Sequence, residues 1–223
     1  IAAVVRPYLS ETNTEGAENT DIAAGGAASL NNRNTIVLAI LSVLFGLALY
    51  GYLGMYPTFL REQLHYAPAD AGRVMSIYGL GVLVSLFTGW LGDRFSPRLV
   101  LGLSFLLASA VAALLFNGPA DFATQAALSF VLGATFSGTI FVNLAAYHVK
   151  SVAASLAGRA SGLFVSCVYG SATVAGYVIG WIVGLAGWTV AGNIQLVALC
   201  LVGVVVALLL QPEQMSRQVR QAA

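Results

Sequence analysis

Charged residues divide the chain into long apolar runs. Between Arg33 and Arg61 lie 27 uncharged residues, between Arg73 and Asp93 lie 19, and between Arg98 and Asp121 lie 22. A further 28 separate Asp121 from Lys150, and 53 separate Arg159 from Glu213. A membrane helix needs about 20 apolar residues. The first four runs therefore hold one helix each. The last holds two, with the turn placed at Leu185-Ala186-Gly187-Trp188. The six predicted spans cover 36–59, 71–92, 98–117, 123–147, 160–185 and 190–210. A β-barrel is the other way to cross lipid. Its strands alternate apolar and polar residues, and runs such as LVLGLSFLLASAVAALLF do not. The fold class is therefore an all-α membrane protein.

Composition agrees with that pattern. Of 223 residues, 58% are apolar and 9% charged, and the mean hydropathy is +0.84. A soluble domain carries roughly 25% charged residues, so this chain has too few to cover a water-facing surface. A net charge of +1 gives no nucleic-acid signal. Cys167 and Cys200 sit inside apolar runs, which excludes a disulfide scaffold and a cysteine-rich metal site. His65 and His148 fall on opposite sides of the predicted membrane, so they cannot share a metal. No Ser/His/Asp set converges, and no G-x-x-x-x-G-K-[ST] loop is present. Neither an enzyme, a cofactor nor a metal is expected.

Arginine and lysine set the orientation. With six spans both ends share a side, and that side holds Arg33, Arg94, Arg98, Lys150, Arg159, Arg217 and Arg220. The other side holds Arg61 and Arg73. Both termini are expected in the cytoplasm, and the protein in a plasma or inner membrane. Residues 1–34 contain Glu11, Glu15, Glu18 and Asp21 among Ser, Thr, Asn and Gly. They read as a polar cytoplasmic linker ahead of a bundle at 35–211 and a cytoplasmic tail at 212–223. They are not a signal peptide, because a basic start followed by an apolar stretch is missing. The opening IAAVV before Arg6-Pro7 reads as the end of an earlier span, with more chain expected upstream.

The second predicted helix ends in Gly89-Trp90-Leu91-Gly92-Asp93-Arg94-Phe95-Ser96-Pro97-Arg98. Gly89 and Gly92 allow a neighbouring helix to come close. Asp93 sits where the chain leaves the lipid, and a carboxylate there can face a helix N-terminus. This stretch resembles the Gly-x-x-x-Asp-Arg-x-Gly-Arg-Arg loop of the major facilitator superfamily of secondary transporters. Gly89, Asp93, Arg94 and Arg98 match; Ser96 and Pro97 depart from the pattern. Further resemblances are Gly158-Arg159-Ala160-Ser161-Gly162-Leu163 and the glycine-rich end of the fifth helix before Gly187-Trp188. The family folds as two six-helix halves, each an inverted pair of three-helix repeats. The resemblance therefore implies half of a twelve-helix fold. The fourth helix lacks the arginine often found in the family's first half, the loop signature is degraded, and the lead-in is acidic. Together these imply the C-terminal half. The alternative is a complete six-helix protein that dimerises into the same shape.

The function implied is secondary active transport of a small organic solute by rocker-switch alternating access, coupled to ions or protons as a symporter or antiporter. The partners are the solute, the lipid bilayer and a complementary six-helix half. The competing reading is a non-transporting receptor, scaffold or assembly factor on the same fold. Spans without Asp, Glu, Lys or Arg leave a proton site mainly to the complementary half. Cavity candidates are Tyr50, Tyr52, Ser137, Asn143 and Tyr169, which offer rings, hydroxyls and an amide. The cytoplasmic gate is assigned to Gly89, Asp93, Arg94, Arg98 and Arg159. In the resembled family the Asp93 carboxylate faces a helix N-terminus of the opposite half. Tyr56 reads as an interface anchor, Pro57 as a loosening of the first helix's outer end, and Gly176, Gly180 and Gly184 as a close helix contact.

Overall fold

A computed structural model describes residues 26–216. What the sequence suggests for 1–25 and 217–223, including Arg217 and Arg220, lies outside them. The first span is α1, Arg33–Glu62. The second is a bent pair, α2 (Pro68–Val82) and α3 (Ser85–Arg94), at 43° to each other. The third is α4, Pro97–Asn117. The fourth joins α5 (Phe122–Thr135) to α6 (Phe141–Lys150) through a π turn at Phe136–Ile140. The fifth is α7, Ala157–Ala186. The sixth joins α8 (Trp188–Gly192) to α9 (Leu199–Ala207) through a second π turn at Asn193–Ala198. Among the described residues, five helices are long and apolar enough to cross a membrane, and the bent pair makes a sixth.

Local chemistry explains the ends. Asn32 Oδ1 accepts the Thr35 N–H at 2.9 Å and Asp121 Oδ1 accepts the Thr124 N–H at 3.0 Å, each capping a helix start. Pro68 and Pro97 occupy first-turn positions, where a missing N–H costs nothing. Gly187, at φ +83°, stops α7 inside the four-residue turn expected there. Pro57 does not end α1, which runs on to Glu62.

The second span was expected as one helix over 71–92. It bends because four N–H groups, Leu83, Val84, Leu86 and Phe87, take carbonyls three residues back. That tightens the turn and redirects the axis. The bend lies against the π turn of the fourth span, where Thr88 Oγ1 donates to the Gly138 carbonyl.

Three helix pairs dominate the packing: first on fifth, second on fourth, third on sixth. Glycines bring backbones together in the first two. A Cβ at Gly46 would lie 2.6 Å from the Val168 carbonyl oxygen, and one at Gly81 2.2 Å from that of Phe130. Exchanging spans one, two and three with four, five and six maps these pairs onto one another. Each triple has an odd number of spans, so the second enters the membrane inverted relative to the first. The bundle is thus two inverted three-helix repeats. Its core includes Leu38, Phe45, Phe105, Phe136 and Leu196. Leu99, Leu103 and Leu106 of the third span and Val202 and Val205 of the sixth face outward, as lipid contact requires.

Candidate functional site

Residues in the last two turns of the fourth span clamp the end of the second. Asn143, Tyr147 and Lys150 recur at helical spacing and so share one side. Asn143 Nδ2 donates to the carbonyls of Thr88 at 3.3 Å and Thr139 at 2.9 Å. Tyr147 Oη donates to the Gly92 carbonyl at 3.5 Å. Lys150 Nζ lies 2.6 Å from Asp93 Oδ1. Contact is closest at Gly92, where a Cβ would stand 1.8 Å from Asn143 Oδ1. Gly89, also assigned to close approach, has open space around it.

Arg94 and Arg98 are drawn to the same end. The Arg94 guanidinium sits 5.2 Å from the Trp90 ring centroid, and Arg98 Nε donates to the Leu210 carbonyl. An open cleft of about 890 Å³ lies between them, lined also by Asp93, Lys150 and Glu213. Arg159 is exposed in the first turn of α7, outside the cleft's lining. The Asp93 side chain is 54% exposed. Such a pair contributes roughly 0–1 kcal/mol, enough to bias a conformation and too little to lock one.

The sequence-selected tyrosines divide into two groups. Tyr52 and Tyr56 are enclosed, with rings stacked at 4.5 Å between centroids. Tyr52 Oη donates to Ser129 Oγ at 3.1 Å and Tyr56 Oη to Gln125 Oε1. Gln125 in turn donates to the carbonyls of Leu115 at 3.3 Å and Pro119 at 2.9 Å. Tyr56 is therefore an internal strut and not an interface anchor. Its hydroxyl needs a partner that hydrocarbon cannot supply. Asn143 is likewise enclosed, and Ser137 is half-buried, 2.7 Å from Tyr78 Oη.

Tyr50 and Tyr169 stand apart from this interior. Their rings are 5.8 Å apart and tilted by 48°, and Tyr169 is 48% exposed. On the same fifth span Ser166, Thr173 and Tyr177 are also exposed. With Tyr169 they recur every three or four residues and form one uncharged polar stripe. The glycine strip takes no close helix contact within the bundle: only Met55 Cε, 3.8 Å from a Cβ at Gly180, comes near it. The fifth is the least buried of the five long spans.

Three polar ties were not anticipated. Ser42 Oγ is 3.0 Å from His148 Nε2, deep between the first and fourth spans. Gln195 Nε2 donates to the carbonyls of Leu47 at 3.0 Å and Ala175 at 2.9 Å, joining the first, fifth and sixth spans. Lys150 as the partner of Asp93 is the third. Its signal was present: Lys150 is the only lysine in the sequence, and charge partition already places it at the Asp93 end.

These features define a multi-pass, all-helical membrane protein built as an inverted repeat. The family model described as Major Facilitator Superfamily matches residues 38–223, and the chain belongs to that superfamily. It is 32% identical over 137 residues to the "Probable hexose phosphate transport protein" of Chlamydia pneumoniae, covering 58% of this chain and 30% of that protein. It is 26% identical over 159 residues to "Uncharacterized MFS-type transporter YvkA" of Bacillus subtilis (strain 168), covering 70% of this chain and 36% of that one. The chain thus spans about a third of the length of these curated relatives. Among solved structures, peptide transporter POT in complex with sulfate superposes with a TM-score of 0.70 at 19% identity. The match covers 86% of this chain and 40% of that one. Tetrameric PepTSo2 gives 0.63 at 17% identity, over 78% and 38%. At such identities the likeness is one of fold, and the fold is half of a major facilitator transporter.

Proposed function

We propose that the chain is the C-terminal six-span half of a secondary transporter. It moves a small organic solute by rocker-switch alternating access, coupled to an ion or proton gradient. Residues 1–34 form the cytoplasmic linker, 35–211 the bundle and 212–223 the cytoplasmic tail, in a plasma or inner membrane. The orientation is supported by Arg33, Arg94, Arg98, Lys150 and Arg159 at one end against Arg61 and Arg73 at the other.

The uncharged polar stripe carries this reading. Thr173 Oγ1 donates to the Gly170 carbonyl of its own helix at 2.7 Å, but hydrocarbon offers no partner to Ser166, Tyr169 and Tyr177, so their exposure favours a water-filled cavity shared with a complementary half. Tyr50 and Tyr169 would present ring faces and hydroxyls to the solute. Tyr52, Ser137 and Asn143 form the layer behind, holding the first, second and fourth spans in register. Asp93, with Gly89, Arg94, Arg98 and Arg159, forms the cytoplasmic gate. In the closed state the Asp93 carboxylate faces a helix N-terminus of the other half, a contact worth typically 0.3–1 kcal/mol.

Proteoliposome uptake by the full transporter tests the reading. The first panel is glucose 6-phosphate and dialanine, suggested by relatives named for hexose phosphate and peptide transport. Tyr50→Ala and Tyr169→Ala should each lower uptake by about tenfold, the loss of one good contact of 1.4 kcal/mol. Leu103→Ala, on the lipid face, should leave it unchanged. Equal uptake in all three variants would contradict the cavity assignment.

A further inference from the structure

The segment just ahead of the first span is tied down. The Ala27 N–H donates to the Ser151 carbonyl at 3.2 Å, and the Ala153 N–H donates to the Ala27 carbonyl at 3.0 Å. Together they make a parallel bridge between Ala27 and Val152. Gly26 lies so close that a Cβ would stand 2.6 Å from the Val152 carbonyl oxygen. Asn32 Nδ2 donates to Thr35 Oγ1 at 2.8 Å, and Thr35 Oγ1 pairs with a buried Ser151 Oγ at 3.0 Å. Water at a membrane surface would satisfy the Ala27 N–H and carbonyl equally well. Satisfying hydrogen bonds therefore does not by itself explain a strap of this kind.

Its seat is what gives it meaning. Residues Lys150–Ala153 receive the strap and also carry the cation that holds Asp93. The Lys150 carbonyl accepts the Ser216 N–H at 2.8 Å and the Ser216 hydroxyl at 3.2 Å. Three segments far apart in sequence thus converge on four residues: the lead-in at Gly26–Ala27, the loop at Asp93 and the chain after the sixth span.

We propose that Gly26–Ala27 is a strap that positions the cytoplasmic gate. By fixing Ser151–Ala153 it holds the end of the fourth span, and Lys150 with it, against Asp93. This rests on the reading of Asp93 as a gate residue. In that reading the strap couples the lead-in at Gly26–Ala27 directly to the Asp93–Lys150 pair.

Lys150 provides the readout. The full transporter in proteoliposomes is treated with a water-soluble amine acylating reagent, and modification is measured on the Lys150 peptide. Gly26→Val cannot seat against Val152, and Ala27→Pro lacks the donor to Ser151. Both should raise the initial labelling rate about threefold, as Asp93→Asn should, the range expected for freeing a weak, partly exposed pair. Ala28→Ser, exposed and off the bridge, should not change it. Ala27→Pro lies outside the spans and keeps the test open if Gly26→Val fails to fold. A rise in Asp93→Asn alone would overturn the strap and leave the gate pair standing. No rise in any variant would remove the gate pair and the strap together.

Discussion

Gly92 shows how much one absent atom decides. A methyl there would meet Asn143 Oδ1 at 1.8 Å, and Asn143 is fixed by bonds to two carbonyls. Gly92→Ala should destabilise the bundle by about 1–3 kcal/mol, the usual cost of overpacking. Adding Asn143→Ser should recover part of that loss, because neighbouring substitutions couple. Unfolding in detergent with both single variants and the double variant measures it; additive losses would show that the two residues do not meet. Asp93, Arg94 and Arg98 were legible in the sequence because a charge among apolar residues marks a membrane surface. The split of the tyrosines was not. The first span is apolar nearly all round, so periodicity cannot tell which way Tyr50, Tyr52 or Tyr56 points. Only the partners Ser129, Gln125 and Tyr169 on other spans settle it.

At the scale of elements, spans are easy to read and their breaks are not. Uncharged runs placed all six within a few residues, and Gly187 fell inside the expected turn. The bend at Val82–Ser85 and the π turn at Phe136–Ile140 depend on which carbonyl each N–H chooses, and on the two elements resting on each other. Helix caps give a pH test. The Thr124 N–H, and then its hydroxyl, hold the Asp121 carboxyl below its ordinary value of 3.8. A lowered carboxylate contributes stability that is complete above its unfolded value and lost as pH falls through the lowered one. Protection of the Thr124 amide, corrected for intrinsic exchange, should therefore decline as pH drops below about 3.9. Asp121→Asn, an uncharged cap, should show no such decline. The same decline in both proteins would mean that the cap is not formed.

On the scale of the whole molecule, two polar surfaces interrupt an otherwise apolar bundle. An uncharged polar stripe on the fifth span faces away from the bundle, while a charged cluster at one end joins the second span to the fourth. We propose that the stripe lines a water-filled cavity whose cytoplasmic opening Asp93 controls. Thiol accessibility in inside-out vesicles, with a membrane-impermeant reagent, tests both parts at once. Tyr169→Cys should react although it lies in mid-span, and Leu103→Cys, exposed to lipid, should not. Adding Asp93→Asn should speed the Tyr169→Cys reaction, by up to about tenfold if the gate bias reaches 1.4 kcal/mol. A Tyr169→Cys as unreactive as Leu103→Cys, or a rate indifferent to Asp93→Asn, would contradict the account.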